Sequence, residues 1–539
     1  MKRQHLLMSS VFAVVSLVSS VPATAQTIKV GLSAEPTSLD PHYHNLIPNN
    51  QIAGHIFESL VETTADFSFR PGLAESWRAL DETTWEFKLR KNVRFHDGSA
   101  FDANDVQFTL CRIPKVANSP SPFTIYTKAI KEIDAPDPYT LIIKTKAPYP
   151  LLPNELSVIG VISDRLIGGE KVKFVETGCK ITAALPATAD FNSGKAAIGT
   201  GPYKFSEFVK GDYIQFNRND AYWGKKPQWE SVRFRPITNP GSRVAALLSG
   251  DVDFIENPPI QDMLRIMKNP AFKVVSDVSV RVIYIAMDQR SDTIVPPEVK
   301  GTNERNPFRD ERVRKALSMA INRESLSLRV MDSFSKPAEQ LLAKNFFGAD
   351  PLLKSLPYDP DAAQKLLAQA GYPNGFELTL ASPNDRYIND AQIAQAIAQM
   401  WTKIGVKTNV NAMTASVFFA KRTKNEFGIW LAGWGAQTGE MSSPLRALVA
   451  TVNKDKGWGA ANQAKYSDAF LDGVIDDAMV TVDDTKRRDL LRKASKRSVE
   501  KMGVIPVHYE VTPWAMKKEF DYKPRADQFT SAFDITLKP

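Results

Sequence analysis

The stretch "LAGWGAQTGE", residues 431–440, gathers Gly433, Gly435 and Gly439 around one indole, Trp434, with Gln437 and Glu440 close behind. Glycines this dense weaken a helix and a strand interior alike. They suit a place where another molecule approaches the main chain and pairs with its N–H and C=O groups. Trp434 would offer that guest a broad apolar face, and Gln437 and Glu440 would hold a polar or cationic end. The same residues fit a tryptophan that plugs a core beside a glycine bulge, and the stretch alone does not choose between the two. A second candidate is "SPNDRYINDAQ", where Arg386 and Tyr387 occupy a loop between a strand at 376–382 and a helix starting at Asp390. Loops at the carboxyl ends of strands carry ligands in α/β sheets. An arginine there either grips a ligand carboxylate through paired, charge-assisted bonds or bonds Asp385 or Asp390 beside it.

Signals of catalysis are absent from the sequence. It contains no G-x-S-x-G elbow, no H-E-x-x-H and no Walker A motif. "GTGPYKF" from Gly199 resembles a phosphate loop only superficially. Pro202 removes a donor there, so it reads as a tight turn entering a strand. Six histidines leave little material for acid–base chemistry, and we read the chain as a non-enzyme without a cofactor. His42 and His44 could begin a metal site if His55, His96 or His508 converged on them; otherwise they are loop histidines.

The elements that must position these residues differ between the two halves. The first half reads as strands and loops: "TWEFKLRKNVRF", "YTLIIKTK" and "DYIQFNRN" alternate apolar and polar residues. The second half alternates helix and strand. "DERVRKALSMAINRESL" places Val313, Ala316, Leu317, Ala320 and Ile321 on one helical face. "YDPDAAQKLLAQAGY" has Asp359 as N-cap, Pro360 as first helical residue, Leu366 and Leu367 facing inward and Gly371 as the stop. A strand, "FELTLAS", a helix from Asp390 to Ile404 and a strand, "VKTNVNA", follow, and "GVIPVHYEVTPWAM" returns to strand near the end. This is the grammar of an α/β fold. The basic run "KRRDLLRKASKR" interleaves acids at helical spacing and reads as a solvated helix face rather than a nucleic-acid patch.

The N-terminus sets the compartment. "MKRQHLLMSSVFAVVSLVSSVPATAQ" has a basic start, an apolar run too short to span a bilayer, and an A-x-A cleavage site before Gln26. Residues 1–25 read as a secretory signal peptide, and no cysteine follows the run to carry a lipid. The rest is too long for one core, so two lobes or more are expected. The 43% of hydrophobic residues argues against disorder. The net charge of +8 is spread along the chain, which gives no nucleic-acid footprint. In an oxidising compartment, the two cysteines, Cys111 and Cys179, are expected to form a structural disulfide.

Several segments together resemble one family. "PGLAESW", "WEFKLRKNVRFHDGSAFDANDVQFTL", "IGTGPYKF", "NPFRDERVRKALSMAINRE", "DPDAAQKLLAQAGYPNGF" and "GVIPVHYE" are similar, in this order, to the extracytoplasmic solute-binding proteins of peptide, oligopeptide and nickel ABC importers, family 5. The resemblance implies a two-lobed α/β periplasmic-binding-protein fold of the large peptide-binder subclass. Lobe I would hold residues 26–287, with an inserted subdomain at about 66–195, and the return at 506–539. Lobe II would hold 288–505, joined through two crossing strands. It further implies a peptide or peptide-like solute held between "SAEPTSLDP", which contains Glu35, and the glycine stretch, and delivered to membrane permease subunits. The receptor would be a periplasmic monomer without nucleic acid. Peptide-binding relatives usually carry an Asp at the third position after the tryptophan, where it pairs with the peptide α-ammonium; here that residue is Gln437. The resemblance thus implies either that Glu440 substitutes for the Asp or that the ligand is not an ordinary free peptide. An opine, a sugar-derived compound or a metal or haem chelate is the alternative.

Overall fold

The computed structural model describes residues 27–292, 298–302 and 304–538. The expected signal peptide and its cleavage site lie outside them. The Asp359 carboxylate accepts the Ala362 N–H at 2.8 Å, Pro360 opens the helix Pro360–Gln369, and Gly371 has φ +95° after its end. Such local punctuation needs no tertiary help. The segment after Asp310 forms two helices instead of one. Glu311–Met319 stops before Asn322, whose side chain caps a second helix, Arg323–Arg329. The five apolar residues expected on one face there are all buried.

Most strands join one sheet of eleven. In spatial order its main path runs Val406–Met413, Phe376–Pro383, Ile429–Gly435, Phe272–Met287, Val504–Lys517, Phe254–Glu256, Thr27–Leu32, Ser231–Pro236, Tyr213–Arg218 and Tyr203–Val209. The helix Asp390–Lys403 connects the parallel pair at one end of this path. A separate four-stranded antiparallel sheet spans Ala74–Ala79, Thr84–Leu89, Ile130–Asp137 and Thr140–Thr145. Behind it the disulfide Cys111–Cys179 ties the helix Ala103–Arg112 to a loop, with 5.6 Å between the Cα atoms.

Two long strands, Phe272–Met287 and Val504–Lys517, carry the sheet from one core to another. Their outer ends, at Val275, Trp514 and Met516, pack on a core built from residues 28–234 and the last residues of the chain. Their inner ends, at Val280, Ile283, Ile285, Val507 and Tyr509, pack on cores built mainly from residues 299–504, which Phe67, Ile260 and Ala526 also enter. The pairing slips between Val278 and Val282, where the two strands pass from one set of cores to the other. A bulge there bends the ladder locally. The fold is therefore mixed α/β with two groups of cores joined by a pair of crossing strands. No helix among the described residues is long and apolar enough to cross a membrane.

Candidate functional site

The strand Ile429–Gly435 pairs along its length with Phe272–Met287 but meets Phe376–Pro383 only at Trp430 and Ala381. Its carboxyl half therefore has one edge without a strand neighbour, where the Gly433 carbonyl accepts from the Tyr387 hydroxyl at 3.2 Å and the Gly435 carbonyl from the Gln437 N–H at 3.0 Å. The Ala436 N–H donates to the Val280 carbonyl at 3.0 Å. By the alternation of antiparallel pairing, Trp434 also bonds the long strand, while the N–H groups of Gly433 and Gly435 point to the open edge.

The two faces of this strand have different neighbours. Trp434 sits opposite Val282, packs on the second core and donates from Nε1 to Ser443 Oγ at 3.1 Å. It is half-buried and forms a wall. Gly433 and Gly435 face the other way, together with Tyr387, Ile283 and Arg281. Tyr387 is buried, and its hydroxyl donates to the Gly433 carbonyl at 3.2 Å. A Cβ at Gly433 would stand 2.7 Å from Tyr387 Cε1 and 2.9 Å from Ile283 Cδ1, so only glycine admits this contact. Asp390 Oδ2 accepts the N–H groups of Arg386 and Tyr387 at 3.1 and 3.0 Å and fixes their loop. The Arg386 guanidinium is exposed over the Tyr387 ring, 5.2 Å from its centroid, with no carboxylate partner among the described residues.

The acidic and amide candidates separate. Gln437 lines a cavity of about 200 Å³ with Gln51, His55, Glu58, Phe529 and Thr530 of the other core group. Glu440 is buried, 2.5 Å from Arg487 and bonded to Ser442, so its charge is neutralised inside the protein. The expectation that Glu440 takes over the work of an Asp at position 437 loses its geometric basis. Glu35 lies in the segment after the strand Thr27–Leu32 and accepts the Gly211 N–H at 2.6 Å. That segment is anchored by Glu256, which accepts both the N–H and the Oγ–H of Ser33 at 2.7 Å. The structure thus joins Tyr387, Gly433 and Gln437 at one strand end, sets Arg386 beside them, turns Trp434 to the opposite face and engages Glu35 and Glu440 elsewhere.

Arg281 was missed by the sequence reading. It stands opposite Gly435, with Nε 3.0 Å from Glu510 Oε2 and Nη2 donating to Gln528 at 3.2 Å. Arg281 Nη2 and Gln437 Nε2 lie 3.4 and 3.3 Å from the point a Gly435 Cβ would occupy. A cation and a neutral amide thus stand together at the end of the open edge. One charged residue inside the apolar run "VSVRVIYIAM" was the available signal.

Buried titratable groups line the same cavity. Glu58 accepts hydrogen bonds from Thr200, Tyr222 and Trp223, yet burial, with Glu62 nearby, pushes its carboxyl up to about 7. Burial also holds His55 down at about 4, so it is neutral near pH 7. His42 is fixed between the Gly160 carbonyl and Arg112, and His44 bonds Thr37. No three metal-ligating side chains gather among the described residues. The metal-receptor reading therefore has no cluster to stand on there.

The fold is that of the two-lobed periplasmic binding proteins. HbpA2 from Haemophilus parasuis superposes with a TM-score of 0.79 at 22% identity, covering 95% of this chain and 100% of that one. The unliganded open form of the murein tripeptide binding protein MppA superposes with a TM-score of 0.78 at 22% identity, covering 96% and 98%. Residues 68–456 match the profile of the bacterial extracellular solute-binding proteins, family 5 Middle. The chain belongs to this family, and it is an extracytoplasmic solute-binding component of an ABC importer. The glutathione-binding protein GsiB of Pectobacterium atrosepticum is 28% identical over 505 residues, which cover 92% of this chain and 90% of that protein.

Proposed function

We propose that the chain captures a peptide or peptide-like solute between its two lobes in the periplasm and hands it intact to membrane permease subunits. The observation that carries this reading is the open edge at Gly433 and Gly435. An extended ligand can pair its main chain there as an added strand. Lobe I comprises residues 26–287 and 506–539 with the subdomain at about 66–195, and lobe II comprises 288–505. The lobes move about the slip near Val278–Val282 rather than at the strand ends. Ligand favours the closed form only to the extent that it binds that form more tightly. Tyr387, Gly433 and Gln437 form the lobe II wall, with Arg386 at the rim and Trp434 backing the strand from its opposite face. Glu35 and its segment face them on closure. The receptor acts as a monomer, catalyses nothing and leaves the membrane by a cleavable signal peptide.

The pairing of Arg281 with Gln437 refines the ligand. An α-ammonium alone meets no carboxylate at position 437, whereas a ligand end bearing both a carboxylate and an amine meets a cation, an amide and Glu510. Glutathione, which names the relative GsiB, has such an end at its glutamyl residue. The second reading is a non-peptide solute such as an opine, a sugar-derived compound or a chelate, since the same pair would receive any small carboxylate.

Native mass spectrometry of protein purified from its host without refolding tests the proposal, followed by calorimetry of the stripped chain. The expected result is a bound mass matching a short peptide or γ-glutamyl compound that rebinds at one site. Binding only of an opine or nickel chelate, or release of a cleaved product, would overturn it.

A further inference from the structure

A second and larger cavity, about 730 Å³, lies on the far side of the turn at Thr438–Glu440. Asn154 Nδ2 donates to the Thr438 carbonyl at 2.9 Å, and Phe67 lines both spaces, so this bond and this ring separate them. One wall belongs to the N-terminal half and presents the rings of Phe67, Phe69, Trp77 and Trp85. The other belongs to the C-terminal half and presents Phe346 and Phe347 beneath Lys344, Arg487, Arg488 and Arg492.

The cations are not equivalent. Arg487 is buried against Glu440, and Arg492 has Asp489 at 3.7 Å. Arg488 lies over the Phe347 ring, 5.0 Å from its centroid, and exposed Lys344 lines the same cavity; neither has a carboxylate partner among the described residues. Only Asp66, Glu440 and Asp484 supply negative charge to the lining, against those four cations and Arg78, which is itself paired with Glu86 at 2.9 Å. The cavity thus combines flat apolar walls with excess positive charge at one end. Its volume falls in the range, about 300–1,000 Å³, of small-molecule sites. Rings favour a flat apolar body by stacking and dispersion. Uncompensated cations favour a carboxylate on that body.

The geometry points to a second ligand site, distinct from the glycine strand, that takes an organic anion with a flat apolar body and one carboxylate. Its two walls come from the two halves of the chain, so an occupant bridges them. The occupant and the solute at the glycine strand are then linked, each changing the affinity of the other by the same factor.

Calorimetry of the full chain with indole-3-acetate, indole-3-acetamide and inorganic phosphate tests the site. The acid should bind one to one, with the uncharged amide and bare phosphate each at least about tenfold weaker, because each lacks one of the two matched features. The double variant Lys344→Gln/Arg488→Gln alters only exposed or half-exposed side chains, so its melting temperature should hold while the acid binds at least about tenfold more weakly. Gly433→Ala should leave acid binding unchanged. Equal binding of acid and amide, no binding of the acid, indifference to the double variant, or loss in Gly433→Ala would each overturn the assignment.

Discussion

The strand Ile429–Gly435 has one face packed on the second core and another where two glycines meet Tyr387, Ile283 and Arg281. On the first, Trp434 opposes Val282, packs into the second core and bonds Ser443, and a few residues on Glu440 is buried with Arg487. On the second, Gly433 lies beneath Tyr387 and beside Ile283, and Gly435 lies beside Arg281 and Gln437. The difference separates conspicuous residues from functional ones. In the proposed reading the large indole and the full charge serve stability, while two residues without side chains and one neutral amide serve recognition. Glycine does this because it brings main-chain groups within a ligand's reach.

Substitutions on each face test the division, and the largest effect belongs to the stabilising side. Glu440→Ala would strand a buried guanidinium and lower unfolding free energy by about 3–5 kcal/mol, measured in denaturant. A variant as stable as the parent would erase the distinction. Trp434→Ala removes a half-buried ring and should cost about 2 kcal/mol of stability while changing ligand affinity less than about threefold. A tenfold loss of affinity with little loss of stability would move Trp434 to the recognition face. Gly433→Ala should do the reverse. It displaces Tyr387, which lowers affinity at least about tenfold, or roughly 1.4 kcal/mol, in calorimetry, while the overpacking costs about 1 kcal/mol of stability, less than in Trp434→Ala. Gln437→Asp sharpens the comparison further. A neutral acceptor becomes charged, so a free α-ammonium gains about 1 kcal/mol while a ligand bearing a carboxylate at that end loses affinity.

The shallowest effect concerns pH. Glu58, at about 7 when folded, binds its proton more tightly than it would unfolded, so its stabilising contribution is complete below pH 4.5 and is lost as pH rises through 7. His42, His55 and His96, held near 4 by burial, act oppositely, and stability rises with pH between 4 and 6.5. Above 6.5 only the decline from buried acids remains. Thermal melts from pH 6.5 to 8 should therefore fall in the parent and fall less steeply in Glu58→Gln, where Asp105 and Glu155, pushed up by burial to about 7 and 8, still titrate.

Much of the fold was legible because its signals are local. Asp359, Pro360 and Gly371 mark a helix within a dozen residues, and the alternation in "TWEFKL" marks a strand, Thr84–Leu89. "GTGPYKF" likewise forms the expected turn into Tyr203–Val209, with Gly201 N–H donating to the Ile56 carbonyl at 2.9 Å. The site was half legible. The density of glycines marked the stretch where the site is proposed, but the direction of Trp434 depends on pairing with Val282, about 150 residues earlier in the chain, through the fixed alternation of strand pairing. Arg487 shows the same limit. It stands in a basic run with helical spacing, yet it is buried because Glu440 comes to meet it. Arg281 and Gln437 come together only because the strand ending at Gly435, two residues before Gln437, pairs with the one that carries Arg281.

Amide exchange at single-residue resolution, with the ligand found by native mass spectrometry at saturation, addresses the central claim most directly. Gly433 and Gly435 should exchange at least about tenfold more slowly with ligand bound, whereas the Trp434 amide, already bonded to the long strand, should change little. Unchanged exchange at both glycines under full occupancy would contradict the account.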